Sequence, residues 1–205
     1  MIDCVIFDIG NVLLDWDPRY LYRRIFSDDG AVEAFLAETG LLELNLEFDR
    51  GEPFAPGLAR LARRFPQHAG ALAAFDARWL ETVGGVIAGP LALLERLLEA
   101  GLPVYAISNF SREKFNVALD AFPFLRRFHD IVISGDLKIL KPDPRIYAAL
   151  IERRRFDPAR AFFIDDNERN VAAARRLGMR AHHYRGPAAL FADCRALGLP
   201  VPDIA

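Results

Sequence analysis

Short apolar runs alternating with helical segments predict an α/β chain built on a doubly wound parallel sheet. Three observations carry this. The runs 4–7, 103–107 and 161–164 show no polar alternation, as strands buried on both faces do. Each ends on polar residues: Asp8, Ser108-Asn109 and Asp165-Asp166-Asn167. The first strand ends at residue 8, the next begins near 103, and a crossover needs only about 30 residues. The surplus reads as an inserted all-helical cap over residues 15–89, with the α/β core formed by 1–14 and 90–205.

In the first strand, Asp8 ends the run Cys4-Val5-Ile6-Phe7, and Gly10-Asn11 lets the chain turn. Asp17-Pro18 opens a helix over 19–26, with proline at its first position. A second helix over 31–39 stops at Gly40. Residues 41–50 place Leu42, Leu44, Leu46 and Phe48 at intervals that fit either an alternating strand or a helical face. Two Ala/Leu/Arg-rich helices follow at 54–65 and 68–83, and no strand is expected between 17 and 83. Gly84-Gly85 and Gly89-Pro90 then mark a hinge-like return. Beyond it the spacing predicts helices over 91–100, 111–121, 145–154, 171–177 and 187–197. Strands are expected at 103–107, 131–133, 161–164 and 180–184. Ser111 is the expected cap of the second of these helices.

At 205 residues, with 52% hydrophobic and 26% charged residues, the chain has the balance of a globular protein with one good-sized core. A net charge of −2 gives no nucleic-acid or membrane-surface footprint. No run reaches the roughly 18 apolar residues of a membrane span. Cys4 and Cys194 are isolated, so no disulfide framework is expected. Met1 leads straight into a strand with no basic leader region, which makes a reducing cytoplasm the expected compartment.

A parallel sheet brings Asp8, Ser108-Asn109 and Asp165-Asp166 to one edge, and Lys141 joins them from the loop before the 145–154 helix. Three carboxylates around one point repel unless a cation lies among them. Oxygen ligands with open positions suit Mg²⁺. A hydroxyl, an ammonium and Mg²⁺ together hold a phosphoryl group, and an ionised aspartate beside it is a nucleophile.

In this order and setting the motifs resemble those of haloacid-dehalogenase (HAD) superfamily hydrolases. FDIGNV resembles the first motif, ISNFS the second, LKPDPRIY the third and FIDDNERNV the acidic fourth. The opening is also similar to that of bacterial members acting on sugar phosphates. The resemblance implies a Mg²⁺-dependent phosphatase of a small phosphorylated substrate, with neither nucleic acid nor membrane as partner. It makes Asp8 nucleophile and metal ligand, Asp166 and the backbone carbonyl of Gly10 further ligands, and Asp165 a support for Lys141 or a metal-bound water. Ser108, Asn109 and Lys141 would hold phosphate oxygens. The chain departs from the pattern at Gly10, where the phosphatases carry an aspartate that protonates the leaving group. Asn11 also replaces a glycine. Asp15 and Asp17 are the nearby candidates for a substitute acid.

Blander readings stand beside these. Ser108 and the Asp165-Asp166-Asn167 run can cap helices, and Lys138 and Lys141 can be solvated charges. His182 and His183 lack a third ligand and read as ordinary strand-end residues. Trp16, Asn45, Phe48 and Arg50 read as cap packing ahead of substrate contact. A dehalogenase using Asp8 on carbon needs neither the acid nor the metal, and leaves Asp165-Asp166 unexplained. A receiver-like phospho-acceptor or binding protein is the rival from outside enzymology; receivers place their acid pair first in the chain and lack a large cap.

Overall fold

The computed structural model describes residues 1–202. Five parallel strands form its centre: β1 (Cys4–Phe7), β4 (Val104–Ser108), β5 (Asp130–Ile133), β6 (Ala161–Asp165) and β7 (Arg180–His183). Their spatial order is β5-β4-β1-β6-β7. The chain builds outward from β1 through β4 to β5, then returns to the other side of β1 for β6 and β7. The direction reverses beside β1, so a crevice opens at the carboxyl end of that strand.

Both faces of the sheet are covered, which is why its strands read as unbroken apolar runs. Val5, Phe7, Val104, Ala106, Phe162 and Ile164 belong to the core on one face. There they join residues of α6 (Ala88–Glu99), α7 (Arg112–Ala121) and α11 (Pro187–Ala196). Their neighbours Cys4, Ile6, Tyr105, Ile107 and Phe163 point the other way, toward α9 (Pro144–Arg154) and α10 (Glu168–Arg176). The alternation is the period of two of a pleated strand.

Between β1 and α6 the chain leaves the sheet through β2 (Leu14–Trp16) and returns through β3 (Val83–Val86). These two pair antiparallel, with Leu14 opposite Val86. The ribbon was not expected from the sequence. Gly84 lies where a Cβ would come within 2.6 Å of Asp15 Oδ2 and 2.7 Å of the Tyr20 ring, so a larger residue there would have to displace the bonded Asp15–Tyr20 pair. Beyond the ribbon the block is helical: α1 (Arg19–Tyr22), α2 (Asp29–Thr39), α3 (Leu41–Asp49), α4 (Phe54–Arg64) and α5 (Ala69–Ala77).

The ambiguous stretch is the helix α3. It buries Leu41, Leu44 and Phe48, at i, i+3 and i+7, and leaves Leu46 exposed. The helix expected over 68–83 is shorter. It stops at Ala77, and a tight turn at Trp79–Thr82 follows, closed by the Thr82 hydroxyl on the Trp79 carbonyl at 2.6 Å. Among the described residues no helix is long and apolar enough to cross a membrane.

The block rests on the core through specific bonds. Glu113, in the first turn of α7, accepts the Phe54 N–H at the start of α4 at 3.1 Å. Buried Lys114 bonds both the carboxylate and, at 3.0 Å, the carbonyl of Asp76, and its ammonium lies 4.5 Å from the centre of the Phe54 ring. Under the sheet, fully buried Phe163 meets the Tyr147 ring edge-on at 5.5 Å. Phe163→Ala is expected to cost about 3–5 kcal/mol, read from the urea unfolding midpoint.

Candidate active site

The carboxyl edge of the sheet gathers the polar strand ends. Asp8 follows β1, its N–H bonded to the Ile164 carbonyl at 2.8 Å. Ser108 and Asp165 are the last residues of β4 and β6, one position further than the apolar runs suggested. Lys141 enters from the loop ahead of α9, whose start is fixed by Asp143 as cap and Pro144 at the first position.

These side chains form one buried network. Lys141 Nζ lies 2.7 Å from Asp8 Oδ2, 2.7 Å from Asp165 Oδ2 and 2.9 Å from the Ile107 carbonyl, which uses all three of its protons. Asp8 Oδ1 accepts the Ser108 hydroxyl at 2.7 Å and the Ile9 N–H at 2.7 Å. Ser108 therefore serves the site, while the cap of α7 is Ser111, as expected. Asn109 clasps the Lys141 backbone, accepting its N–H at 2.7 Å and donating to its carbonyl at 3.2 Å. The Asn109 side-chain amide is thus spent on the Lys141 backbone.

Asp165 is held on both oxygens. The Asn167 N–H reaches Oδ1 at 2.8 Å, and Asn170 Nδ2 lies 2.9 and 3.1 Å from the two oxygens. Asn170 lies within the fourth motif, FIDDNERNV, but the resemblance assigns it no part. The signal was its place in the first turns of the following helix, where a side chain can reach back to the strand end. Asp166 is partly exposed, and the Asn11 side chain lies beside it. Asn11 takes a left-handed φ of 55°, a conformation asparagine tolerates where a glycine would be usual. Of the two histidines, His182 pairs with Asp193, and His183 donates through Nε2 to the Asp166 carbonyl at 2.8 Å while its Nδ1 lies 2.7 Å from Glu168 Oε2.

The electrostatics follow from burial. Removal from water works against the Lys141 charge, but Asp165 and Asp8 overcome it and hold its pKa above the ordinary value. Asp8 is pushed up to about 7 by burial, against Lys141 and the Ser108 hydrogen bond, with Asp165 adding to the rise. Burial and Asp165 also raise Asp166. Oxygen atoms of Asp8, Asp165 and Asp166 all lie within 4.8 Å of one another. One ammonium against three carboxylates leaves this cluster short of positive charge. A hard divalent cation fits the oxygen donors and supplies what is missing.

Beside the cluster opens a cavity with about 550 Å³ of empty space, part of it open to solvent. Gly10 and Asn109 line its floor, and its wall is largely apolar: Ile9, Leu14, Trp16, Phe54, Trp79 and Phe110. Asn45, Asp49 and Lys114 add polar groups. Trp16 and Asn45 thus face the cavity. Phe48 does not; it is buried and stacks on Phe54 at 4.0 Å. Arg50 lies on a separate outer groove with Lys138, Lys141 and Arg145. Neither Asp15 nor Asp17 lines the cavity. Asp15 accepts the Tyr20 hydroxyl at 2.7 Å, and Asp17 accepts the Arg19 N–H at 2.9 Å.

The sequence matches the family model of the haloacid dehalogenase-like hydrolases over residues 2–178. This chain belongs to that family. Among curated HAD relatives, (S)-2-haloacid dehalogenase 4A of Burkholderia cepacia is 35% identical over 85 residues, 42% of this chain. The chain spans only 37% of that enzyme's length. Sesquiterpene phosphatase astK of Aspergillus oryzae is 27% identical over 94% of both chains. A HAD family enzyme of Bacteroides thetaiotaomicron, crystallised with magnesium and inorganic phosphate, shares the fold at a TM-score of 0.73 and 24% identity, covering 93% of this chain and 100% of the other.

Lys141→Met leaves two buried carboxylates without their shared counter-charge. The expected loss is about 3–5 kcal/mol at pH 7.5. The unpaired acids bind protons more readily folded than unfolded, so the loss should shrink as pH falls toward 5. Urea unfolding at both pH values reads this.

Proposed function

We propose that this hydrolase is a Mg²⁺-dependent phosphatase of small phosphorylated metabolites, with Asp8 as nucleophile, and that residues 15–89 act as a cap over a core formed by 1–14 and 90–205. The observation that carries the reading is the buried Asp8–Lys141–Asp165 network with Asp166 and Ser108 around it. Support also comes from the activity named for the Aspergillus phosphatase and from the magnesium and phosphate held by the Bacteroides enzyme.

Asp8, Asp166 and the Gly10 carbonyl would hold Mg²⁺, which when bound supplies positive charge to the phosphoryl oxygens. The remaining work belongs to the chain. The Ser108 hydroxyl, the Asn109 backbone N–H and the Lys141 ammonium bind and orient the phosphoryl group. The Asp8 carboxylate attacks phosphorus, the ester oxygen departs, and an aspartyl-phosphate remains. Water then attacks phosphorus and restores Asp8. Asp165 positions Lys141 throughout. The apolar cavity wall favours an ester whose alcohol has a broad apolar or aromatic face over a small polyol such as a sugar.

A dehalogenase would use the same Asp8 on a halide-bearing carbon, as the named activity of the Burkholderia relative suggests. The paired acids Asp165 and Asp166 speak for the phosphatase, because displacement of halide by one carboxylate needs no cation.

Hydrolysis of p-nitrophenyl phosphate should require Mg²⁺, stop with EDTA and vanish in Asp8→Asn while circular dichroism stays native. Halide release from 2-chloropropionate in place of phosphate release would overturn the reading. Proton and metal compete for Asp8, whose pKa is near 7. The rise in melting temperature caused by Mg²⁺ should therefore be larger at pH 8 than at pH 6, measured by differential scanning fluorimetry.

A further inference from the structure

An alkoxide cannot leave phosphorus readily without a proton, and Gly10 carries no side chain to give one. The cavity where the leaving group would sit has two titratable residues among its lining, Asp49 and Lys114. Lys114 is held by the carboxylate and carbonyl of Asp76 and lies over the Phe54 ring. Ser108 and Lys141 are bonded to Asp8 itself. Asp49 is different. Its carboxyl group faces the Ser111 N–H, in the same loop as Ser108 and Asn109, and Asn45 Nδ2 approaches Oδ2 at 3.1 Å. Its backbone carbonyl accepts the Ser134 hydroxyl at 2.6 Å, and Ser134 in turn accepts the Phe110 N–H at 2.9 Å. The Ser111 N–H and, through Ser134, the Phe110 N–H thus tie the last residue of α3 to the phosphate-binding loop, while Asn45 braces its carboxylate from within the helix.

We infer that Asp49 protonates the departing ester oxygen and then takes a proton from the attacking water, an assignment that rests on the phosphatase reading above. In the first step the Asp8 oxygen–phosphorus bond forms, the phosphorus–ester oxygen bond breaks and the Asp49 proton goes to that oxygen, releasing the alcohol. In the second, water oxygen bonds phosphorus, its proton returns to Asp49, and Asp8 leaves as carboxylate with inorganic phosphate.

The protonation state fits. Asp49 is pushed up to about 7, by burial against the Ser111 N–H and the Lys141 charge. The negative end of the α3 dipole disfavours its anion too, and a phosphate dianion nearby does the same. Charges on the elements packed against α3 are engaged elsewhere. On α2, Asp29 pairs with Arg23, Glu33 with Arg19 and Glu38 with His68. Arg60 of α4 pairs with Glu52, and Asp136 beneath α3 with Arg112. Arg63 and Arg64 at the end of α4 and Lys138 are exposed, and on α3 itself Glu47 pairs with Arg50 while Glu43 faces solvent.

The test compares p-nitrophenyl phosphate, whose phenolate leaves unaided, with the alkyl ester 2-phenylethyl phosphate, whose aromatic face suits the apolar cavity wall, both with Mg²⁺. Wild-type kcat on the alkyl ester should fall as pH rises through about 7, where Asp49 loses its proton, and the aryl ester should show no such limb. Asp49→Asn should lose about 10²-fold or more in alkyl kcat, keep aryl kcat within a few-fold, and lose that limb. Gly10→Asp placed in the Asp49→Asn background should recover alkyl turnover, since a Cβ at Gly10 meets nothing within 4 Å. Equal losses on both esters, a change in KM alone, or a wild-type alkyl profile without the limb would overturn the assignment of Asp49. The wild-type profile decides even if the variant fails to fold. Absence of turnover of both esters by wild type would instead bring down the phosphatase reading and this inference with it.

Discussion

Lys141 sits in the interior with its side chain 1% exposed, between Asp165 at 0% and Asp8 at 9%. Taking such charges out of water costs several kcal/mol per ion, and attraction offsets this only when every proton and lone pair finds a partner. Here they do. The ammonium's three protons go to the ends of three strands: the β4 carbonyl of Ile107, Asp8 after β1, and Asp165 closing β6. Asn167 and Asn170 complete Asp165 from the start of α10. The three central strands must end in register for this to work, so the reactive edge and the folded core impose one requirement on the chain.

In the proposed reaction the same network tunes the nucleophile. A carboxylate that lost all its charge to burial would be a poor nucleophile, and one fully neutralised by lysine would leave nothing for a metal. Asp8 lies between these limits, with its pKa near 7, and further positive charge tips it toward the anion. Lys141 keeps its own proton because two acids share it. Ser108 adds a hydrogen bond that fixes the carboxylate's orientation without changing the net charge.

Much of this was legible in the residues. Strands buried on both faces leave unbroken apolar runs, and the first polar residue after each run marks the sheet edge. Asp8, Ser108 and Asp165 could therefore be placed together without coordinates. Lys141 could be placed because Asp143-Pro144 announces a helix start. What could not be read lies in the block above. Leu42, Leu44, Leu46 and Phe48 alternate, and only packing against α2 and α4 selected the helical face Leu41-Leu44-Phe48. The β2–β3 ribbon was hidden because three- and four-residue strands carry too little pattern, and Gly84-Gly85 suggested a hinge. Asp49 belongs to none of the four motifs. An aspartate closing a helix, at the end where the dipole opposes it, was the available sign that something else holds it there.

The arrangement of Asp49 and Asn45 bears on how such a site selects. They stand four residues apart on α3, one turn of helix, and so share a face; both line the cavity with Trp16 from the ribbon. In the proposed mechanism the helix that contacts the leaving group also carries its proton. An ester that fails to fill the space under α3 still places its phosphoryl group on Ser108 and Lys141, because those contacts belong to the core. It is bound, yet its alkoxide meets no donor. Discrimination then falls on the transition state more than on the ground state, and appears in kcat where a rigid pocket would show it in KM. A glycine two residues past the nucleophile makes this possible: an acid fixed on the core at that position would protonate any leaving group that reached phosphorus, whatever its shape.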